Sequence, residues 1–328
     1  MINRVQIFRA KDTNPHRNLA VEQHLLETVP AETCILYLWQ NRRTVVIGRN
    51  QNAWRECRTT LLEADGGFLA RRLSGGGAVF HDMGNLNFTF LVNKEDYDLP
   101  RQLGVIVEAC RSMGVPAERS GRNDVLSGGR KFSGNAFYEH NGKSYHHGTL
   151  LVDVDMSAMG RYLSPSQAKL EGKGVASVRS RVVNLRELRP ELSVEEMAER
   201  LETAFQSVYG LTAERLEESV LDRRAVDTLA VRNASWEWLY GREPACTLQC
   251  GGRFAWGGTE LRLAVEGGVV AQAAVYTDAM DWALAPAVER ALTGCRFRLE
   301  DMWQGLCNAG LEEAVREDLC RLLARQNI

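Results

Sequence analysis

The sequence predicts an α+β protein in which a second, smaller α/β domain follows a larger N-terminal domain. The chain has 328 residues, of which 45% are hydrophobic, so it can bury a large core and is long enough for two domains. Strand-like alternation and helical spacing both occur before residue 232, which favours a sheet packed with helices. A stretch with tryptophan, glycine and proline between Arg232 and Cys246 is typical of a boundary. We therefore predict domains at residues 1–243 and 244–328.

The first 67 residues predict strands and helices that lead to the first dense motif. We predict a strand at residues 4–8, a helix that begins at Asn18, a hairpin of residues 35–39 with 44–47, and a helix at 54–64. Gly66 and Gly67 follow this last helix, at the place where glycine commonly ends a helix. The polar turn at residues 48–52 is rich in amide side chains and indicates little by itself.

The glycine loop, which we define as residues 71–77, is the most distinctive motif of the chain and reads Arg71-Arg72-Leu73-Ser74-Gly75-Gly76-Gly77. Three residues without Cβ atoms allow positive φ and let backbone N–H groups approach an anion. The two arginines before the turn carry the planar fork that suits carboxylate or phosphate. The loop leads into a strand, unlike the dinucleotide fingerprint, and it lacks the Gly-Lys-Ser/Thr of a P-loop. Taken alone, it also fits a plain glycine-rich hairpin.

A strand with period-two alternation follows the glycine loop. Its hydrophobic face carries Leu86, Phe88, Phe90 and Val92. Helical spacing at residues 100–113 comes next.

A second dense patch covers residues 121–134 and places Lys131 among glycines. Asn141-Gly142 then predicts a hairpin whose second strand carries His146 and His147. Adjacent residues of a strand point to opposite faces, so at most one of these histidines faces the same pocket as Lys131.

The rest of the chain predicts a basic loop, a capped helix and the small C-terminal domain. Residues 167–181 read as a mobile basic loop or as an ordinary solvated surface loop. Ser193 begins a capping box for a helix that extends to Tyr209. In the C-terminal part we predict strands at 247–254, 260–265 and 269–276 and helices at 282–292 and 312–325.

Charge and cysteine usage exclude several classes of protein. The 40 basic and 42 acidic residues give a net charge of −2, which argues against bulk binding of nucleic acid or of a membrane surface. The chain has no run of 18 apolar residues, and its N-terminus does not read as a signal peptide. Eight scattered cysteines without metal-ligand spacing indicate reduced thiols, and we expect a cytoplasmic protein.

The motifs together suit a reaction between two anions. A lysine bounded by glycines is costly to bury unless it meets an anion, which makes Lys131 a candidate for charge stabilisation. Asn123 and Asp124 offer the hard oxygen ligands that Mg²⁺ uses together with substrate phosphates. A carboxylate that attacks the α-phosphate of ATP needs such groups, because Coulomb repulsion opposes the approach.

The ordered motifs resemble the signature of the lipoate–protein ligases over nearly the whole chain. The matching stretches, in order, are residues 71–85, Gly121-Arg122-Asn123-Asp124, Arg130-Lys131-x-Ser133-Gly134, His146-His147-Gly148-Thr149-Leu150-Leu151, residues 177–185 and Trp236-Glu237-Trp238. The resemblance implies a biotin/lipoate ligase-like mixed-sheet catalytic domain followed by a small accessory domain. Leu73 departs from the pattern, since some members have a third arginine there.

The resemblance also implies roles for individual residues. Lys131 matches the catalytic lysine and Asp124 the magnesium ligand. The residues that match lipoate-binding positions are Arg72, Ser74, Gly75, Gly76, Gly77, Asn85 and His147. The residues that match nucleotide-binding positions are Ala78, Val79, Phe80, His81, Asn123, Lys131 and Arg181. The implied cofactors are ATP and Mg²⁺.

The implied function is an AMP-forming ligase that activates lipoate to lipoyl-AMP and transfers the lipoyl group to a lysine of an acceptor domain. The acceptors of the family are E2 subunits of 2-oxoacid dehydrogenases and the H protein of glycine cleavage. A hydrophobic pocket separates related acyl chains poorly, so we expect octanoate to be accepted as well.

Three other functions are alternatives to the AMP-forming ligase. A thioester-forming octanoyl or lipoyl transferase needs a cysteine nucleophile, and no cysteine lies between Cys110 and Cys246. A non-catalytic protein that binds lipoyl carriers would not require Lys131, Asn123 and Asp124. An enzyme that only transfers preformed lipoyl-AMP is compatible with every motif.

Overall fold

The computed structural model describes residues 1–121, 124–163, 182–240 and 248–326, with the backbone alone for Trp54. The chain forms two compact units that interleave along the sequence. Unit 1 comprises Met1–Val46, Cys57–Ala70 and Val79–Ser235. Unit 2 comprises Ile47–Glu56, Arg71–Ala78 and Trp236–Ile328, so it contains the glycine loop as well as the C-terminal region. The division into domains at residues 1–243 and 244–328 stays a prediction.

An eight-stranded mixed sheet is the centre of unit 1, in the order β11-β1-β2-β6-β10-β9-β8-β7. Its strands are β1 (Arg4–Arg9), β2 (Thr33–Trp39), β6 (Asn85–Asn93), β7 (Glu118–Ser120), β8 (Asp124–Ser127), β9 (Arg130–His140), β10 (Lys143–Leu151) and β11 (Glu214–Leu216). β1 is parallel to both of its neighbours, whereas β6, β10, β9, β8 and β7 pair in antiparallel fashion. A smaller sheet, ordered β4-β3-β5, is made of β3 (Thr44–Ile47), β4 (Phe68–Arg71) and β5 (Val79–His81).

Helices cover both faces of the large sheet. Among the described residues up to Tyr240, the helices are α1 (Pro15–Thr28), α2 (Ala53–Glu56), α3 (Thr59–Ala64), α4 (Leu99–Ser112), α5 (Met156–Tyr162), α6 (Leu185–Leu188), α7 (Val194–Tyr209), α8 (Arg223–Ala234) and α9 (Trp236–Tyr240). α4 and α7 pack on one face around the main hydrophobic core, and α1 lies on the other face, packed against α8. Two single 3₁₀ turns occur at Lys94–Asp96 and Glu218–Val220.

The start of α1 differs from the prediction. The helix begins at Pro15, three residues before Asn18, because the Asn14 side chain accepts hydrogen bonds from the N–H groups of His16 and Arg17. Proline at the first helical position needs no hydrogen-bond partner for its nitrogen, which suits this place. The side chain of Asn18 instead bonds to the carbonyl groups of Asp12 and Gln40 inside the fold.

The predicted hairpin of residues 35–39 with 44–47 is wrong, although both strands exist. β2 lies between β1 and β6 in the large sheet, and β3 lies between β4 and β5 in the small one. Every residue of β2 is buried, so this strand gains more from two long-range neighbours than from its neighbour in the sequence. The predicted helix at 54–64 is likewise interrupted and forms the separate helices α2 and α3.

Several local predictions are confirmed. The four apolar residues of β6 (Leu86, Phe88, Phe90 and Val92) all belong to the main core. Asn141 and Gly142 have φ values of 49° and 71° and join β9 to β10. The Ser193 side chain accepts from the N–H of Glu196 at the start of α7.

Within unit 2, the described residues 248–326 form a three-stranded antiparallel sheet, ordered β12-β13-β14, and three helices. The strands are β12 (Leu248–Phe254), β13 (Gly257–Glu266) and β14 (Val269–Thr277), and the helices are α10 (Leu284–Leu292), α11 (Leu299–Cys307) and α12 (Glu313–Ala324). The strands and the outer two helices match the prediction, and α11 was not predicted. Among the described residues, no helix has the length and apolar content needed to cross a membrane.

Candidate functional site

The candidate site in unit 1 lies on the face of β6 that points away from the main core. Asn85, Asn87 and Thr89 alternate with the apolar residues of this strand, and their side chains are completely buried. Asn85 Nδ2 donates to Asn87 Oδ1 at 3.0 Å, and neither Asn85 Oδ1 nor Asn87 Nδ2 has a hydrogen-bond partner in the part of the chain that the structure describes. Buried polar atoms without partners are rare in proteins and need an explanation. A polar ligand on this face would supply the partners.

A buried carboxylate lies at one end of this polar face. Glu22 of α1 accepts from Thr89 Oγ1 at 2.7 Å and from His147 Nδ1 at 2.8 Å. Trp39 Nε1 donates to the same Thr89 hydroxyl at 3.2 Å. Three strands and a helix are therefore connected by one chain of hydrogen bonds, which fixes the orientation of the His147 ring.

The neighbouring histidine belongs to the other face, as the alternation of the strand predicts. His146 is completely buried, with hydrogen bonds to Gln102 of α4 and Asn135 of β9. Burial, with a smaller contribution from His147, lowers the pKa of His146 to about 3. His146 is therefore a neutral core residue, and His147 is the histidine that faces the candidate site.

Lys131, on β9, lies at the other end of the same polar face, away from Glu22. Its Nζ is 2.7 Å from Asp124 Oδ1 on β8, and both side chains are about one-third exposed (35%). The pairing of the two strands shifts by one residue beside Lys131, so that Asp124 is opposite Gly134 while Leu126 is opposite Lys131. The lysine must therefore lean over Gly134 to reach the carboxylate.

Gly134 provides the space for this lysine. A Cβ atom at Gly134 would lie 2.8 Å from Lys131 Nζ and 2.9 Å from its Cε, so the end of the lysine side chain would have to move. The same Cβ position is 3.9 Å from Thr149 Oγ1, and Thr149 is opposite Asn87 in the sheet. Lys131, Thr149 and Asn87 thus form a continuous polar row across three strands.

The fit of a magnesium ion to this region rests on Asp124. Its carboxylate is the acidic partner of Lys131, and one carboxylate is enough for Mg²⁺ when substrate phosphates supply further oxygen ligands. Within the described ranges, no group of three or more His, Cys, Asp or Glu side chains could hold a metal by itself. Asn123 and Arg181, and with Arg181 the predicted basic loop at 167–181, lie outside the described residues.

Two of the residues predicted to contact nucleotide lie on β5 with buried side chains. His81 Nδ1 accepts from Asn41 Nδ2 at 3.2 Å, and Asn41 Oδ1 accepts from Asn18 Nδ2 at 3.1 Å. The ring of His81 also meets the ring of Trp39 edge-on, with the centroids 6.1 Å apart. Phe80 is buried beside Tyr162, whereas Val79 is partly exposed and Ala78 belongs to unit 2.

The glycine loop in unit 2 is held by its own arginine. Arg72 is 6% exposed and donates to Ser74 Oγ and to the carbonyl oxygens of Gly75 and Gly77. Gly76 has φ = +87°, and its N–H donates to the carbonyl of Ala279 at 2.9 Å. In this structure Arg72 therefore stabilises the turn itself, and its predicted contact with lipoate stays a prediction.

Arg71 has a different set of partners. Its guanidinium donates to the backbone carbonyls of residues 48, 49, 51, 238 and 239. Trp238 Nε1 in turn donates a hydrogen bond to the carbonyl of Arg71 at 3.1 Å. The first arginine of the motif thus connects the glycine loop to α9 and to the turn at 48–51.

The sequence analysis missed Glu22, Thr89, Trp39 and Asn41 as components of these networks. Glu22 could have been found, because it comes three residues after Leu19 and three before Leu25 and so lies on the apolar face of α1. An acidic residue on such a face needs buried donors. The roles of Thr89, Trp39 and Asn41 depend on contacts between strands that are distant in the sequence.

Two family models match the chain. The "Lipoyl protein ligase A/B catalytic domain" matches residues 14–206, and the "Bacterial lipoate protein ligase C-terminus" matches residues 243–323.

Solved structures show the same fold. LipL1 of P. falciparum, in complex with lipoate, has 25% identity and a TM-score of 0.87 over 98% of this chain and 100% of its own. A bi-partite lipoate protein ligase of T. acidophilum, solved as part of a lipoylation system with its E2 lipoyl domain, has 25% identity and a TM-score of 0.63, with 76% and 100% coverage. Lipoate-protein ligase A bound with ATP has 24% identity and a TM-score of 0.60, with 73% and 98% coverage.

Proposed function

Because the chain belongs to the lipoyl protein ligase A/B catalytic-domain family, with a bacterial lipoate protein ligase C-terminus, we propose that it is an ATP-dependent, AMP-forming lipoate–protein ligase. In the first step, the carboxylate of lipoate would attack the α-phosphate of ATP and release pyrophosphate. In the second, the amine of an acceptor lysine would attack the carbonyl carbon of lipoyl-AMP and release AMP. The overall product would be a lipoyl amide.

The placement of Lys131 is the observation that carries this proposal. Its ammonium group lies over Gly134, paired with Asp124, at the end of a polar row that includes Thr149 and Asn87. We assign to Lys131 the neutralisation of the carboxylate and the α-phosphate as they approach each other. The same charge would polarise the mixed anhydride when the acceptor amine attacks.

We assign the acyl-binding role to the polar face of β6 and to the residues around it. Asn85 and His147, predicted to bind lipoate, both lie on this face, and Asn85 retains a free amide oxygen. Glu22 and Thr89 keep His147 in one orientation. We expect octanoate to be used as well as lipoate, because apolar contacts distinguish such chains by only about 1–3 kcal/mol. To the glycine loop, with Arg72 and Ser74 to Gly77, we assign further contacts with lipoate.

The nucleotide and the metal complete the proposed reactants. We assign ATP binding to Ala78–His81, Asn123, Lys131 and Arg181, and the ATP-bound ligase among the similar structures supports the use of this nucleotide. Asp124 would hold Mg²⁺ when ATP is bound, and the ion would neutralise phosphate charge. Asn41 would keep the His81 ring in one orientation, since it donates to Nδ1.

The acceptor is proposed to be a lipoyl domain of a 2-oxoacid dehydrogenase E2 subunit or a glycine-cleavage H protein. The archaeal ligase among the similar structures was studied with its E2 lipoyl domain, which supports this class of partner. We place the protein in the cytoplasm, and the seven cysteines among the described residues are all free thiols.

The alternative route through an enzyme thioester is disfavoured by the raised pKa values of three buried cysteine thiols. Burial raises the pKa of Cys110, which lies in the main core, to about 12. The pKa values of Cys34 and Cys57 are raised to about 12 for the same reason. A nucleophilic cysteine acts as a thiolate, and these three groups stay protonated at neutral pH. An enzyme that only transfers preformed lipoyl-AMP remains the alternative.

The decisive experiment is an assay of pyrophosphate release with Mg-ATP, with and without free lipoate and without any acceptor. We expect release that depends on lipoate, together with lipoyl-AMP detected by mass spectrometry. Omission of Mg²⁺ should abolish the signal. If lipoate causes no release while supplied lipoyl-AMP is still transferred to a lipoyl domain, the transfer-only alternative replaces the proposal.

A further inference from the structure

The amide-rich turn at residues 48–52 contains a buried side chain that the proposed function does not use. Gln51 is 2% exposed. Its Oε1 accepts from the N–H of Gly48 at 2.9 Å, and its own N–H donates to the carbonyl of Gly48 at 3.1 Å. Its carbonyl accepts from Arg71 Nη1 at 2.7 Å. These three bonds fix both the backbone and the side chain of Gln51.

The remaining polar atom of Gln51 has no partner. Nε2 is buried and finds no acceptor among the described residues. The amide cannot turn to relieve this, because its oxygen is already bonded to Gly48. A buried donor without an acceptor costs free energy and needs an explanation, and a ligand that accepts from it is one such explanation.

The turn that carries Gln51 packs on the glycine loop within unit 2. A Cβ atom at Gly48 would lie 2.1 Å from the carbonyl oxygen of Gly76, so only glycine permits this contact. The N–H of Arg49 donates to the carbonyl of Ser74 at 2.9 Å. The side-chain amide of Gln51 is bonded to Gly48, and Gly48 in turn lies against the backbone of Gly75 and Gly76.

Two other donors of this region already have acceptors inside the protein. The guanidinium of Arg72 is bonded to atoms of the glycine loop, and the N–H of Gly76 is bonded to Ala279. Gln51 Nε2 differs from them, because it can donate to a ligand without first breaking a bond to the protein. A neutral amide donor that is fixed in place loses little entropy when it binds an anion.

We propose that Gln51 is a substrate-binding residue whose Nε2 donates a hydrogen bond to an anionic oxygen held at the glycine loop. That oxygen belongs to the carboxylate of the acyl substrate or to a phosphate of the nucleotide. The inference rests on the proposed function, because it takes the glycine loop as part of the substrate site. It adds a residue from a different segment of the chain.

The test compares three variants by isothermal titration calorimetry, with lipoate alone and with Mg-ATP alone as the probes. Gln51→Glu keeps the acceptor for the N–H of Gly48 and replaces the donor with a negative oxygen. Gln51→Met removes the donor without adding charge. Asn52→Asp is the matched control, since it adds the same charge one residue away and its Oδ1 can still accept from the N–H of Arg55. Thermal unfolding shows whether each variant is folded.

For one of the two probes we expect Gln51→Glu to weaken binding at least tenfold and Gln51→Met to weaken it severalfold. Asn52→Asp should change the same affinity less than threefold. The probe that is affected identifies the oxygen as carboxylate or phosphate. If both Gln51 variants fold and bind both probes as the control does, the inference is wrong and the proposed function stands. If the unaltered protein binds neither probe, the proposed function fails and the inference fails with it.

Discussion

Two groups of cations in this protein are held in opposite ways. Lys131 in unit 1 is one-third exposed, and its ammonium is paired, among the described side chains, with the carboxylate of Asp124. Arg71 and Arg72 in unit 2 are 4% and 6% exposed, and their guanidinium groups bond mainly to backbone carbonyls. An ammonium with one ionic partner can exchange it for a substrate anion. A buried guanidinium bonded to several carbonyls is part of the structure of its loop.

Cations next to glycines are thus held by a single carboxylate in one described region and by backbone carbonyls in the other. Both regions contain basic residues next to glycines, and both read from sequence as anion sites. In unit 1 the glycine leaves room for the lysine side chain. In unit 2 the glycines leave room for the backbone of other residues. A Cβ atom at position 75 would lie only 2.5 Å from the carbonyl oxygen of Ala279. Variants in each region test this difference.

The largest effect is expected for Lys131→Ala. Loss of one charge-stabilising donor costs about 2.7–4 kcal/mol, or roughly a hundred- to a thousandfold in rate, and we expect it in both half-reactions. Pyrophosphate release measures activation, and transfer from supplied lipoyl-AMP to a lipoyl domain measures the second step. Lys131→Arg should not restore the rate, because the planar fork places its charge elsewhere.

Lys94→Ala is the control for this experiment. Lys94 is exposed and forms an ion pair with Glu139 at the surface, so its removal should leave both steps unchanged. If Lys131→Ala retained near-normal transfer from supplied lipoyl-AMP, Lys131 would act in activation alone.

A smaller loss is expected for Gly134→Ala, which adds a Cβ 2.8 Å from Lys131 Nζ. The ammonium must move by about an ångström, and misplacement of that size costs on the order of a hundredfold in rate. Gly134 has no positive φ, so the fold should be kept. The measurement is kcat for lipoyl-AMP formation, together with the melting temperature.

Gly104→Ala is the matched glycine control. A Cβ there meets nothing closer than Arg119 at 3.7 Å, and alanine is favoured over glycine within helix α4. We expect unchanged activity and equal or higher stability. Equal kcat values for the two alanine variants would show that Lys131 does not depend on the space at Gly134.

The smallest effect is expected for Trp238→Phe, which removes the hydrogen bond from Nε1 to the carbonyl of Arg71. One such bond contributes about 1 kcal/mol, so KM for lipoate should rise about fivefold while kcat changes little. Hydrogen exchange of residues 71–78 should become faster at the same time. Trp236→Phe is the control, because Trp236 is 63% exposed on the same helix. Equal exchange rates in the two variants would show that Trp238 does not stabilise the glycine loop.

Local patterns predicted most elements of the fold. The alternation of β6, the Asn141-Gly142 turn and the Ser193 cap are confirmed, because each depends on a few neighbouring residues. The false hairpin of β2 with β3 shows the limit of such patterns. Both strands are apolar and close in sequence, and only the burial offered by β1 and β6 decides where β2 pairs.

The candidate site was predictable in part. The motifs singled out Lys131, Asp124, Asn85 and His147, and the structure brings all four to the sheet of unit 1, with Lys131 paired to Asp124. The motifs also presented the arginine pair as a clamp for anions. That both guanidinium groups bond to the chain itself was not readable, because the carbonyl partners of Arg71 lie up to 168 residues away and those of Arg72 depend on how the glycine loop folds.

Sequence alone determined the residue types, the period of each element and the order of the motifs, since these depend on neighbours along the chain. It also assigned His146 and His147 to opposite faces of β10, because a strand has a period of two. Tertiary structure decided which of the two histidines points toward the candidate site. His146 bonds to Gln102 on one side of the sheet, and His147 bonds to Glu22 on the other. Tertiary structure likewise left Gln51 Nε2 without an acceptor within the described ranges. Burial and hydrogen-bond partners depend on all the segments that pack around a residue, and no short stretch of sequence contains them.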